Sequence, residues 1–258
     1  MMVITTWLVH CVLIAAVLAV GAHAWEASAR WSGRSARWAW LGALCGSVGL
    51  PWLLQLVPER VAGDVSLAAI PVMGSMPVAA EPFPLLDEAL PALPADLTPV
   101  AVTLWVVLSL SVVGYIGWMT VSVARAQRRW RRAELEGGEV WVARNVGPAA
   151  LGIRAGMVVL PAWALQLAAE LRALLLLHER EHVRAGDPRM VFAALLLLAA
   201  MPWNPVVWYM VLRLRNAIEL DCDARVLRQG VDPRTYGALL LEVGRRRGGS
   251  PLVMATFA

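Results

Sequence analysis

His178-Glu179-Arg180-Glu181-His182 places two imidazoles four residues apart, with a carboxylate beside the first. On a helix, positions i and i+4 share one face. Two imidazoles there can hold a single zinc ion, and Glu179 sits where it can take a proton from the water that such an ion activates. The helix is well specified: Leu171 to His182 contains neither Gly nor Pro and is rich in Leu and Ala, both good helix formers. The chain has four histidines. A solvated helix end carrying Arg180 and Glu181 does not account for two of them in one such motif.

A catalytic zinc needs a third protein ligand and an open fourth position. His10 and His23 flank the first apolar run, and at least one of them lies far from the side of the membrane that carries the motif. The third ligand is then an acid or Cys222. Glu219 is the best placed, on a helix without breakers from Asn216 to Arg225. Asp223 lies one turn further on the same face, where it can accept the free N–H of a ligating histidine. Cys222 reads as a small packed residue, or as the fourth ligand of a closed structural site. Asp221 is expected to point away into solvent. Arg184 and Arg225 are the candidates for stabilising a developing oxyanion.

The chain that must position these residues is not built like an ordinary soluble domain. Hydrophobic residues make up 59% of its 258 residues and charged residues 16%, against about 45–50% and about 25% in globular domains. Those values exclude disorder, and three cysteines, two of them inside apolar runs, give no disulfide framework. The net charge of +4 comes from arginine alone, and in a membrane protein such a balance reports topology. Three runs are long enough to span a bilayer: 3–24, 38–57 and 99–123. Gly46, Gly49 and Pro51 weaken the second as a helix but are tolerated in membrane helices. The loop 58–98, rich in proline and in acids with Arg60 as its one base, is expected outside and irregular. Arg30, Arg34, Arg37 and the cluster from Arg125 to Arg132 then fall on the cytoplasmic side, with the N-terminus outside. Lipid headgroups are the better partner for that cluster, and no direct nucleic-acid binding is expected.

The reading is therefore of a mainly α, polytopic membrane protein. Residues 1–132 form the transmembrane region and residues 133–258 a cytoplasm-facing zinc peptidase domain. The latter opens with a short β element: a strand at 140–143, a turn near Gly147-Pro148 and Gly152, and a second strand at 157–161. A helix follows from Ala162 to about Arg184. The segment 190–215 is apolar enough to be a fourth span, but a full crossing would carry Glu219 to the face opposite His178 and His182. Pro202, Asn204 and Pro205 favour a turn. The segment reads as a hydrophobic hairpin with arms 190–201 and 205–215, each reaching about half the hydrocarbon depth, and with Asp187-Pro188 capping the first arm.

These pieces resemble the BlaR/MecR-type antirepressor metallopeptidases, which are membrane-bound gluzincins. The matching residues are His178-Glu179-x-x-His182, Asp187, Trp203-Asn204-Pro205, Trp208 and Glu219-Leu-Asp-Cys222-Asp223-Ala224, with Gly147-Pro148, Gly152 and Val159-Leu160-Pro161 upstream. The resemblance covers about 140–230; the three spans match in number and topology. It implies one Zn2+ held by His178, His182 and Glu219, with Glu179 as general base and acid. It also implies an extended substrate added to the upstream strand. The substrate implied is a cytosolic DNA-binding repressor, cut in response to an external signal at a bacterial-type inner (plasma) membrane. The β-lactam sensors of the family carry a penicillin-binding domain after a further span. A sequence without lysine has no Ser-x-x-Lys motif, so β-lactam sensing by this sequence is not expected. Two other readings stand beside this one: a processing or quality-control protease like the HtpX and CaaX-type enzymes, and a non-catalytic scaffold with structural zinc.

Overall fold

The computed structural model describes residues 4–56, 97–144, 146–153 and 156–247. Three long helices come first, α1 (Ile4–Ser32), α2 (Arg37–Leu56) and α3 (Leu97–Gln127). They coincide with the three expected runs, and α1 and α3 continue past theirs at the basic end. Two of them, α1 and α3, are long and apolar enough to cross a membrane. The third, α2, is diluted by Arg37, three tryptophans and glycines. In α3 only 6% of the apolar stretch is buried, so few of its side chains are fully enclosed by the rest of the molecule. The proline-rich loop lies outside the described residues as far as Asp96.

A four-stranded sheet follows, in the order β1-β2-β4-β3. Its strands are β1 (Arg131–Leu135), β2 (Gly138–Ala143), β3 (Ala149–Leu151) and β4 (Met157–Pro161). The two expected strands are present as β2 and β4, but they run parallel. Parallel neighbours cannot be joined by a tight turn, and the connecting segment contributes β3, which folds back antiparallel on β4. Arg132, at the end of the basic cluster, is therefore a strand residue, with its guanidinium 4.7 Å from the Trp141 ring centroid.

After a short 3-10 turn comes α4 (Ala169–Ala185), then α5 (Asp187–Ala200), α6 (Pro205–Leu227) and α7 (Pro233–Arg247). Gly186, at φ 73°, closes α4 and opens α5; a left-handed residue there favours glycine. Asp187 does not cap α5 as expected. It is the first residue of the helix, and its side chain goes elsewhere. The hairpin is present. Asn204 caps α6 by accepting the Val206 N–H at 3.0 Å, and Pro205 fits the position after the cap. The arm expected at 205–215 and the helix expected at 216–225 are one continuous helix, since nothing between Pro205 and Leu227 breaks it.

Two cores organise the molecule. Trp40, Leu44, Met201, Met210 and Leu214 pack α1 and α2 against the α5–α6 hairpin. Val140, Leu160, Leu176, Tyr236 and Leu239 pack the sheet against α4 and α7. The hairpin runs alongside α1 and α2. Its base, at Asp187, touches Arg37. Its tip, at Trp203, joins Trp7, Trp52 and Trp105 in a cluster with ring centroids 5.5–6.4 Å from Trp7. The fourteen residues of α5 bridge about 21 Å of that distance at 1.5 Å per residue.

Candidate active site

The helix α4 puts His178 and His182 on one face, with ring centroids 4.7 Å apart and nearly perpendicular planes. Their Nε2 atoms stand 3.1 Å apart. From α6, Glu219 brings Oε2 to 3.8 Å from His178 Nε2 and 3.7 Å from His182 Nε2. Donors bound tetrahedrally at about 2.0–2.1 Å from zinc stand about 3.3 Å from one another. The three separations bracket that value, so the donor set fits a single small ion. Glu179 is buried and faces the same cavity. The structure thus brings together His178, Glu179, His182 and Glu219.

Each histidine is held from behind by its other nitrogen. His182 Nδ1 donates to Asp187 Oδ2 at 2.8 Å. His178 Nδ1 donates to the Tyr236 hydroxyl at 2.7 Å, which donates to Asp223 Oδ1 at 2.6 Å. Asp223 is itself 3.5 Å from His178 Nδ1, so it acts on the ring chiefly through Tyr236. With both Nδ1 atoms turned outward, the two Nε2 atoms face each other and Glu219. Cys222 is buried on the other side of His178, its Sγ 3.6 Å from Nδ1. His178, His182 and Cys222 also lie within 4.8 Å of one another. In that set, however, the sulfur faces a nitrogen already engaged by Tyr236, whereas Glu219 faces the two Nε2 atoms.

The electrostatics follow from this packing. Burial depresses the His182 pKa, but its hydrogen bonds to Asp187, Cys222 and Glu219 outweigh that and push it up to about 12. Burial raises Asp223, the Tyr236 hydrogen bond opposes, and the Glu219 charge adds to the rise. Burial and the neighbouring Asp223 also raise Tyr236. Burial pushes the Cys222 thiol up against the pull of His182.

A cavity of about 580 Å³ opens in front of these groups. One wall is the edge strand β3. The others are Thr120 and Val123 of α3, Phe192 of α5, and Leu239 and Val243 of α7. Neither expected oxyanion candidate lines it. Arg225 lies 3.0 Å from Asp187 and 3.4 Å from Glu181, and Arg184 pairs with Glu181 at 3.2 Å. The arginine that does line the cavity is Arg215, one turn before Glu219. Asp221 is not solvated as expected; it accepts from Ser35 Oγ and lies 3.7 Å from Arg37 Nε. Glu181, which the rejected reading of a charged helix end would have left in solvent, is buried against Gln229. His10 and His23 sit on α1, bonded to Thr6 O and Tyr209, away from the site.

Sequence reasoning missed two parts of this arrangement. Tyr236 lies on α7, for which no element was expected; Asp232-Pro233 with Thr235 was the available signal, and Thr235 N–H does donate to Asp232 at 2.9 Å. Asp187 was noticed, but as a cap. Its position directly after the Gly186 turn was the clue that it could fold back on His182.

The model of the BlaR1 peptidase M56 family matches residues 100–256. The chain belongs to this family. The match takes in α3, the sheet, the histidine helix, the hairpin and α7, and so extends beyond the 140–230 stretch on which the resemblance rested. No curated protein matches the chain. As an M56 peptidase, the protein is a membrane-associated metallopeptidase, and its His–His–acid cluster at the wall of a cleft is compatible with that activity.

Proposed function

We propose that this M56 peptidase is a regulatory zinc endopeptidase that cleaves a cytosolic protein, such as a transcriptional repressor, when a signal arrives from outside. The observation that carries the reading is the convergence of His178 Nε2, His182 Nε2 and Glu219 Oε2 within 3.1–3.8 Å beside a cleft edged by a strand. Three spans with the N-terminus outside would put the basic ends of α1 and α3, and with them the cleft, on the cytoplasmic side. Residues 1–132 would form the membrane unit and 133–258 the peptidase unit.

His178, His182 and Glu219 would hold the ion, with the two Nδ1–H groups fixed by Tyr236–Asp223 and by Asp187. A zinc ion there supplies Lewis acidity, polarising a carbonyl and making water acidic enough to lose a proton near neutral pH. Glu179 takes the proton from the attacking water and returns it to the leaving amine. An extended substrate adds to the free edge of β3, where backbone hydrogen bonds hold it in register. The apolar walls from α3 and α7 exclude water and accept apolar side chains.

The buried Cys222 thiol favours a second reading, a structural site closed by four protein ligands. The engagement of His178 Nδ1 by Tyr236 weighs against it. Wild type and Glu179→Ala, prepared in membranes, separate the two when metal content and cleavage of candidate cytosolic repressors are measured together. Zinc in both with cleavage by wild type alone supports the peptidase. Zinc in both, with no cleavage by either even after the inducing signal, supports the structural site. Absence of zinc from both sinks the metal reading.

A further inference from the structure

Arg37 is the first residue of α2, yet its guanidinium lies behind the metal-ligand cluster. We infer that Arg37 is a positioning residue for His182, acting through Asp187; this rests on the zinc-site reading above. Asp187 is buried. Its Oδ2 receives His182 Nδ1 at 2.8 Å and Arg225 at 3.0 Å. Its Oδ1 receives Arg37 at 2.5 Å. A carboxylate held by one oxygen still turns about its Cβ–Cγ bond; a guanidinium on the second oxygen fixes its plane. That plane decides where Oδ2 lies, and Oδ2 decides both the tautomer and the tilt of the His182 ring. Arg37 is itself seated on Asp221, which also holds Ser35. The corner between α1 and α2 is thereby clamped to α5 and α6 at the ligand's support.

The clamp has a consequence for signalling. A shift of α2 that withdraws Arg37 leaves Asp187 Oδ1 buried without that partner and frees the His182 ring. By linkage, an ion that tightens His182 also tightens the α1–α2 corner.

The test is zinc affinity of the full-length protein in nanodiscs, by competition with a chromophoric chelator, with unfolding temperature measured on the same samples. Arg37→Gln is expected to weaken zinc binding about tenfold, the low end of what the loss of a ligand-orienting partner costs. In an Asp187→Asn background the same substitution is expected to change affinity by less than about twofold, since residues that act as a unit are not additive. Arg37→Lys, which keeps the charge but not the fork, is expected to fall between, and it replaces Arg37→Gln if that variant does not accumulate. An affinity within about twofold of wild type for the single variant, or an equal loss in both backgrounds, overturns the inference. No zinc uptake by wild type overturns instead the reading beneath it.

Discussion

Tyr236→Phe removes one oxygen atom and leaves the ring, so it isolates the hydrogen-bond relay behind His178. Tyr236 is only 3% exposed and packs in the core between the sheet, α4 and α7; Phe keeps that packing. The lost hydroxyl both accepts from His178 Nδ1 and donates to Asp223. A buried donor left without its acceptor costs about 1–3 kcal/mol. The cost falls on the metal-bound protein, because binding through Nε2 requires the proton on Nδ1. Without metal, His178 is free to adopt the other tautomer and escape the penalty. At about 1.4 kcal/mol per tenfold, the full range is roughly 5- to 150-fold in zinc affinity. Asp223 Oδ1 stands 3.5 Å from Nδ1 and can close part of the gap, which places the expected loss near tenfold. Chelator competition measures it, and thermal unfolding of metal-stripped protein provides the control. Zinc affinity within about twofold of wild type would refute the relay, as would a fall in metal-stripped stability that by itself accounts for the whole effect.

Four other outcomes are expected. With its pKa pushed up to about 12, His182 keeps a proton at neutral pH that a metal must displace, so zinc affinity should rise about tenfold per pH unit between about pH 7 and about pH 9; a flat titration counts against this. In metal-stripped protein, the same raised pKa stabilises the fold fully below the ordinary value of 6.5, and that support declines steadily above it until it is gone at about 12. The unfolding temperature of metal-stripped protein should therefore fall between about pH 7 and about pH 9 on account of His182, and a flat or rising profile that Asp187→Asn leaves unchanged counts against this. A Cβ on Gly156 would meet Val183 Cγ1 at 2.2 Å, so Gly156→Ala should destabilise by about 1–3 kcal/mol, and Val183→Ala in the same chain should restore much of it; failure of that rescue in thermal unfolding removes the explanation. Finally, Glu26 is buried and takes both a bidentate contact from Arg213 at 2.7 Å and a bond from Trp40 at 3.0 Å. Glu26→Ala should cost about 3 kcal/mol by leaving Arg213 without its carboxylate, read as a lowered unfolding temperature in detergent.

The parts of the site legible in the sequence were those set by local spacing. His178 and His182 share a helix, as do Glu219 and Asp223, so i and i+4 geometry could place each pair. The three long N-terminal helices were legible from apolar length, and the hairpin from Asn204-Pro205. What escaped was set by tertiary contact. Tyr236 reaches His178 from a helix 58 positions away, and Arg37 reaches Asp187 from 150 positions away; no periodicity links such pairs. Asp221 is expected in solvent, as is Glu181 in the rejected reading of a charged helix end, because a charged residue is most often exposed. Each is instead held against an arginine, which is the condition under which an acid can be buried. β3 escaped because three residues make too short a run to show alternation.

The continuity of α6 changes how the two halves of the molecule can be related. Had the second arm ended near Arg215, Glu219 would sit on a separate helix and could move independently of the apolar core. Instead one rod carries Met210 and Leu214 in the core with α1 and α2, Arg213 on Glu26, and then Glu219, Cys222 and Asp223 at the site. About four turns separate Met210 from Arg225 at 3.6 residues per turn, and every turn has a fixed contact. A displacement of α1 or α2 is therefore felt at the site in two ways: along α6, which carries Glu219, and across the Ser35–Arg37 corner, which bears on Asp187. The two routes end on different members of the proposed donor set, Glu219 and His182. A rigid shift of α6 alone would move Glu219 relative to both histidines and change its two separations from them while leaving that between the histidines, whereas loss of the Arg37 clamp would act through the orientation of His182. Cobalt substitution distinguishes them. The first alters the ligand field through the carboxylate; the second leaves the carboxylate in place and lowers affinity through one imidazole.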